Sequence, residues 1–448
     1  MATLRQSLSD SRTSYLRGRQ IAQHIFMATL ALLDVRRAML RKLQYADGVL
    51  RAGEASISLS RPPRVVAFGK AATRMAATLF EILGGKIEKG VVISPSEPAA
   101  KLERFRYFAG GHPYPAPGSL EGASAALELL SGLTPEDQVI FLVSGGGSAL
   151  FERPLNAGIP ITELIEFNRV LVTGGVPIEA MNVLRKHISA VKGGRLALAA
   201  WPASQLTIYI SDVPESCPSM VASGPTMPDE SATGECYELA ARYHIAEKFP
   251  KRIRALFEQR ALEETPKPSD ERFSRSSYFC LLSNRDATEA ARSVAADAGF
   301  HAEIAGGMWD VDYMRGVEES LAALETCTQQ HAGMPVCLVT GGEVVCKVTG
   351  HGVGGRNLNF ALYAAQKIEG RACVVLSGAT DGRDGNSPSS GAVADGHTIS
   401  RACALGLDPQ AYLAESDAYH FFRTLGDTIE TGFTDNNVRD LRLLMSFE

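Results

Sequence analysis

Short apolar runs punctuate the chain, and each ends abruptly in a loop of small and polar residues. They are "RVVAFGKAA" (64–72), "QVIFLVSGGGSAL" (138–150), "QLTIYISDVPES" (205–216), "YFCLLSNRDA" (278–287), "VCLVTGGEV" (336–344) and "ACVVLSGATDG" (372–382). Helix-like stretches such as "ATEAARSVAADAGF" and "NLNFALYAAQKI" lie between several of them. Strands of a parallel sheet are buried on both faces, so they read as continuous apolar runs, and helices must cross between them. The pattern predicts an α/β chain. In such sheets ligands bind beyond the carboxyl ends of the strands, which directs attention to the loops just quoted.

A chain of 448 residues exceeds one ordinary core, so two domains are expected. The Pro-rich, charged stretch "EETPKPSDERFSR" (263–275) reads as the boundary. This gives an N-terminal domain over 18–265 and a C-terminal domain over 276–448. Residues 17–44 carry apolar residues at helical spacing and open the first domain with an amphipathic helix. The preceding 1–17 is rich in Arg and Ser but has no apolar signal core and contains Asp10, so it reads as a frayed extension rather than a targeting segment.

With 45 basic and 50 acidic residues the net charge is −5. Nothing there points to a nucleic-acid partner, which needs a basic face. No apolar stretch approaches a membrane span. The eight cysteines include no C-x-x-C pair, so a reducing, cytoplasmic setting is expected, without a disulfide framework or a zinc site.

Lys70 follows one apolar run and precedes a helix, where it could reach a phosphate or simply be solvated. It is not part of a Walker A loop, which would need Gly at Arg64 and Ser or Thr at Ala71. In "SGGGS", Ser144, Gly145, Gly146, Gly147 and Ser148 let the backbone approach an anion. The alternative is a tight turn with no ligand. A nucleophile elbow fails, because Leu150 stands where its last glycine belongs. "RKHISAVKGGRLA" concentrates Arg185, Lys186, His187, Lys192 and Arg195. It reads either as a solvated face or as a docked loop for a carboxylate or phosphate, with His187 alone a structural histidine. Asp212 and Asp381 each follow a strand end, and Asp384 lies near the second. Carboxylates so placed suit magnesium, which takes one or two of them plus substrate phosphates, although loop aspartates also cap turns. Glu343 in "TGGEV" is a weaker candidate.

The loop "GHGVGGRN" is a G-x-G-x-x-G match through Gly350, Gly352 and Gly355. As a dinucleotide turn it has an acidic residue, Asp381, at the end of the next strand. A fourth glycine, Gly354, and Arg356 at the helix start fit a phosphate at least as well.

Taken together, "SGGGSAL", "RKHISAVKGGRLA", "ISDVP", "ASGPTMPD" (222–229), "TGGE", "GHGVGGRN" and "ATDGRDG" occur in one order that resembles the type-II glycerate kinases, whose C-terminal part is called the MOFRL domain. "GGHPYP" (110–115) and "ETPKP" (264–268) look like the same family, and the likeness runs from about residue 18 to the C-terminus. The resemblance implies ATP- and magnesium-dependent phosphorylation of D-glycerate, usually to 2-phosphoglycerate. It implies a Rossmann-like N-terminal domain, a C-terminal α/β domain, and an active site in the cleft between them. Catalytic positions of that family fall on Lys70, Asp212, Arg356 and Asp381. The two glycine loops, with Asn357 and Glu343 beside the second, would divide the nucleotide phosphates and the glycerate carboxylate, "RKH" assisting. Which loop takes which is open, as is the split of metal and base roles between Asp212 and Asp381. The partner expected is a small molecule, and a homo-oligomer is compatible with the sequence. The chain departs from the family at "GNSPSSGA" (385–392), where Pro388 replaces a common aspartate, and at "TGFTDNNVRD" (431–440). The rival enzyme reading is an NAD(P)H-dependent hydroxypyruvate reductase, a name some members carry. It uses one glycine loop and leaves Lys70, Asp212 and "SGGGS" without a job. A binding relative that has lost catalysis is the third class.

Overall fold

The structure, a computed structural model, describes residues 11–447. It divides into two compact units. One comprises residues 35–281. The other joins 282–447 to the opening segment up to Asp34.

That opening segment contains helix α1 (Ser11–Leu32). The sequence reading placed it with the N-terminal domain, and the structure corrects this. Its Ala22, Ile25 and Phe26 are fully buried in a core shared with Val374, Leu376, Leu441 and Leu443 of the C-terminal unit. Amphipathic spacing specified a buried face; it carried no information about which sheet would cover that face. Of the expected extension 1–17, residues 1–10 lie outside the described residues, and 11–17 are the first turns of α1.

In the unit of residues 35–281, a small antiparallel sheet of β1 (Leu43–Ala46), β2 (Val49–Ala52) and β3 (Ala55–Ser58) precedes the main sheet. The main sheet contains β4 (Arg64–Phe68), β5 (Lys89–Ser94), β6 (Phe105–Ala109), β7 (Gln138–Val143), β8 (Ser204–Ile210) and β9 (Ser276–Leu282). Its order is β6-β5-β4-β7-β8-β9, and the first five strands are parallel. Every residue of β7 is buried, as a strand covered on both faces requires. From β4 the chain winds one way through β5 and β6, then returns to the other side for β7 and β8. The order therefore reverses between β4 and β7, and in open α/β sheets ligands bind beyond the carboxyl ends of the strands at such a reversal. Helix α2 (Ala72–Ile82) follows β4, and α3 (Ile178–Ile188) lies between β7 and β8 in sequence. Because β9 closes this sheet, the boundary falls near residue 281, later than the Pro-rich stretch predicted. That stretch instead runs across this unit, where the Arg195 guanidinium donates to the Glu263 and Glu264 carbonyls.

The C-terminal unit holds β10 (His301–Ile304), β11 (Met308–Asp312), helix α4 (Tyr313–Gln330), β12 (Val336–Val345), helix α5 (Arg356–Lys367), β13 (Cys373–Ala379), β14 (Gly391–Asp395), β15 (Thr428–Ile429) and β16 (Asp440–Ser446). Its sheet order is β10-β12-β16-β13-β14-β15, with β11 also paired to β12. This sheet is mixed: β16 is antiparallel to both neighbours, β12 and β13. A strand buried on both faces reads as an apolar run whatever the direction of its neighbours, so sequence did not announce the antiparallel insertion.

Phe26 fills the space above Gly378, where a Cβ would stand 2.7 Å from its ring. Phe26→Ala should cost the C-terminal unit about 3–5 kcal/mol. Denaturant unfolding checks this, and a loss below ~1 kcal/mol would remove α1 from that core.

Candidate active site

Lys70 and "SGGGS" meet at the point where strand order reverses. Lys70 stands two residues beyond β4, and the glycines follow β7 directly. The two loops are tied by backbone bonds: the Lys70 amide donates to the Gly145 carbonyl at 3.0 Å, and the Ala71 amide to Ser144 Oγ at 3.0 Å. Gly146 has φ of +82°, and a Cβ there would lie 3.3 Å from Lys70 Cγ and 3.0 Å from the His112 ring. His112, from the loop after β6, is thus a third member that sequence reasoning had noted only within "GGHPYP". Asp212, half-buried, follows β8 at the same end of the sheet.

The "RKH" cations are committed elsewhere. Lys186 is buried and pairs with Asp229 at 2.9 Å. Burial alone would raise the Asp229 carboxyl, but the Lys186 ammonium holds it below its ordinary value. Lys192, fully buried, donates to Glu152 and to the Phe151 carbonyl. His187 is buried and bonds the Val183 carbonyl through Nδ1 at 2.9 Å, and burial lowers its pKa. Arg185 Nε donates to Asn168 Oδ1 at 2.8 Å. With Lys186 and Lys192 paired internally, the segment acts as a brace within its unit. The Gly193 and Gly194 amides donate to the Ser223 and Gly224 carbonyls, in a turn where Ala222, Ser223 and Gly224 all have positive φ. Such a conformation costs a non-glycine residue on the order of 1–3 kcal/mol and needs outside support. Ser223 Oγ in turn lies 2.8 Å from Ser148 Oγ and donates to Asn182 Oδ1 at 3.0 Å. Gly147 has to be glycine, because a Cβ there would stand 2.6 Å from Ala222 Cβ. The basic motif therefore holds "SGGGS" in place.

In the C-terminal unit Glu343 lies within β12, two residues before its end, so "TGGEV" is strand rather than the loop the sequence suggested, and Arg356 begins α5. Arg356 Nε and Nη2 clasp Asp440 at 2.7 and 3.0 Å, and its Nη1 reaches Glu343. Glu343 also pairs with Arg439 at 2.7 Å, and Asp440 with the fully buried Arg442 at 3.0 Å. Burial opposes charge on Arg356, yet Asp440 and Glu343 hold its pKa above the ordinary value. Asp381 follows β13 and accepts from the Arg383 amide at 3.1 Å. Sequence reasoning noted Arg439 and Asp440 only within "TGFTDNNVRD", without a role, and missed Arg442 inside β16.

The G-x-G-x-x-G loop is filled from within. The Asn357 amide donates to Asp384 Oδ1 at 3.1 Å and the Leu358 amide to Oδ2 at 2.8 Å, at the start of α5. The Gly352, Val353 and Gly354 amides donate to the Glu415 carbonyl, Asp417 Oδ1 and Asn386 Oδ1. A Cβ at Gly350, Gly352 or Gly355 would strike Glu415, Asp417 or Asp384 within 2.5 Å. A dinucleotide turn needs those helix amides for pyrophosphate; here a protein carboxylate holds them. The expected anion cradle at Gly350, Gly352, Gly354, Gly355 and Asn357 is a packing motif for two loops of the same unit. Asn357 Oδ1 accepts from Ser377 Oγ at 2.6 Å, which buries that side chain in the fold. The divergent segment at Pro388 leaves that residue exposed and uses Ser389 O to accept from the Asp384 amide at 2.8 Å.

A family described as a domain of unknown function, DUF4147, matches residues 21–258, and the MOFRL family matches residues 336–440. The D-glycerate 2-kinase of Thermotoga maritima is 36% identical over 381 residues, spanning 84% of this chain and 89% of its own length. The chain belongs to the glycerate 2-kinase family. The crystal structure of glycerate kinase from Thermotoga maritima superposes with a TM-score of 0.82 at 31% identity, covering 96% of this chain and 99% of that one. A relative in Agrobacterium vitis, named only provisionally as a hydroxypyruvate reductase, is 32% identical over 438 residues, spanning 95% of this chain and 94% of its own. Among the described residues no helix is long and apolar enough to cross a membrane.

In this glycerate 2-kinase relative the Asp384 carboxyl is displaced toward neutrality. Burial pushes Asp384 up to about 6 from 3.8, against the pull of the Leu358 and Asn357 amides. The folded chain then holds the proton more tightly than the unfolded one. That contribution to stability is complete below about pH 4 and is lost as pH rises to about 6. The difference in melting temperature between Asp384→Asn and the parent should shift in the variant's favour across this window and stay level above it. Thermal melts from about pH 4 to about pH 8 read this directly; a flat difference would show that Asp384 titrates normally.

Proposed function

We propose that this chain phosphorylates D-glycerate with magnesium–ATP, giving 2-phosphoglycerate. The observation that carries the reading is the loop of Gly145, Gly146, Gly147 and Ser148. Among the described residues its amides make no hydrogen bond to the protein, in contrast to the filled loop before α5. They lie beside Lys70 and His112 at the reversal of the sheet. Phosphoryl transfer needs positioning and charge neutralisation more than covalent chemistry. On this reading the "SGGGS" amides and Lys70 receive nucleotide phosphates, and Lys70 neutralises charge on the transferred group.

Asp212 in the unit of residues 35–281 and Asp381 in the C-terminal unit are each half-buried just beyond a strand, and each offers a carboxylate of the kind magnesium takes beside substrate phosphates. Asp384 does not, since both its oxygens accept amides. When bound, the ion neutralises the phosphates. The carboxylate not engaged by it accepts the glycerate hydroxyl proton. Arg356, fixed by Asp440 and Glu343, presents its remaining N–H donors to the substrate anion. The reductase reading gains nothing from the structure, because its fingerprint loop is already packed.

ADP release from magnesium–ATP should depend on D-glycerate, and phosphorus NMR of the product should identify the 2-isomer. No glycerate-dependent release from folded protein, with NADH oxidised in the presence of hydroxypyruvate, would replace this reading by the rival. Lys70→Ala and Arg356→Ala should each lower kcat by about two orders of magnitude or more. Near-normal turnover in either folded variant would remove that residue from the mechanism.

A further inference from the structure

Four side chains of the C-terminal unit converge without any part in the chemistry above. His301 and Glu303 stand two residues apart on β10, hence on one face of the strand. Cys327 lies in the last turn of α4 and His331 caps it, its amide donating to the Cys327 carbonyl at 3.1 Å. His301 Nε2 lies 2.7 Å and His331 Nε2 3.2 Å from the same oxygen, Glu303 Oε1. The imidazole rings stack with centroids 3.5 Å apart. Cys327 is 3% exposed beneath them, while the other three are half-buried.

One donor atom from each residue lies within 4.8 Å of all the others. A tetrahedral ion with zinc-type bond lengths needs its ligand atoms about 3.3–3.8 Å apart. The set is therefore within about one ångström of that arrangement. We propose that His301, Glu303, Cys327 and His331 form a binding site for a divalent cation of the zinc class. Two imidazoles, a thiolate and a carboxylate suit such an ion. Magnesium and calcium, which take oxygen ligands, are poorly served. Binding releases the Cys327 proton. Location favours a cation as well. The site lies at the carboxyl end of the 18-residue α4, where the helix dipole is negative and no basic residue occupies the last turn.

The role is structural. Glu303 pairs in register with Leu338 of β12, whereas Glu343 stands five residues further along that strand, roughly 17 Å away at the usual rise. The ion would clip edge strand β10 to the end of α4 and close the β10–β11–α4 segment. This departs from the sequence expectation of no zinc site, which considered only paired cysteines.

The test is titration of chelator-treated full-length protein with cobalt(II), followed by zinc. One cobalt per chain should bind with an intense near-ultraviolet thiolate band and the visible bands of tetrahedral cobalt, and zinc should displace it and raise the melting temperature. Cys327→Ser should abolish the thiolate band. Because that residue is buried, Glu303→Gln and His331→Gln, both half-exposed, serve as second variants. Each should weaken binding by at least about a hundredfold while the metal-free melting temperature is kept. No saturable cobalt spectrum in the parent would overturn the proposal. So would a band undiminished in Glu303→Gln and His331→Gln, which would assign it to another thiol such as the exposed Cys403.

Discussion

A strand covered on both faces can carry polar chemistry only where it ends. In the sheet of residues 35–281, β7 is buried throughout and the core residues of β4 and β8 pack at close to zero exposure. Hydrogen-bonding groups along these strands are spent on the ladder. The first freedom comes beyond Phe68, Val143 and Ile210, and there Lys70, "SGGGS" and Asp212 stand. Strand order reverses between β4 and β7, and in open α/β sheets such a reversal spreads the two connections apart.

Buried charge supports that arrangement. Lys192 with Glu152, and Lys186 with Asp229, each place a cation out of water against one carboxylate. Such pairs contribute little net stability compared with apolar packing, but removing one partner costs about 3–5 kcal/mol. Their consequence is specificity of position: the segment after "SGGGS" and the turn at Ala222–Gly224 have one satisfied arrangement. In the C-terminal unit Asp440 does the same for Arg356. Burial would raise its carboxyl, yet Arg356 and Arg442 hold it below the ordinary value. A guanidinium clasped in this way is held in one orientation.

The glycine fingerprint before α5 illustrates how one pattern serves two physical ends. Glycines permit close approach, and the approaching group can be a phosphate or part of the same protein. Here Glu415, Asp417 and Asp384 approach. Asp384 has the charge and the hydrogen-bonding geometry of an anionic ligand, and it sits 29 residues beyond Gly355 in the chain because β13 intervenes.

Alternating apolar runs and helical stretches determined the α/β class and the placement of Lys70, Asp212 and Asp381 beyond strand ends, because burial on both faces is written directly into local composition; Glu343 proved to lie inside β12. The motif set likewise carried the family. Tertiary structure alone decided the rest. It placed α1 on the C-terminal sheet, inserted β16 antiparallel between β12 and β13, turned "RKH" into a brace, and filled the G-x-G-x-x-G loop with Asp384. Each of these is a pairing between segments far apart in sequence. Local pattern fixes what a segment must bury or satisfy; which distant partner does so depends on the closing of the whole chain.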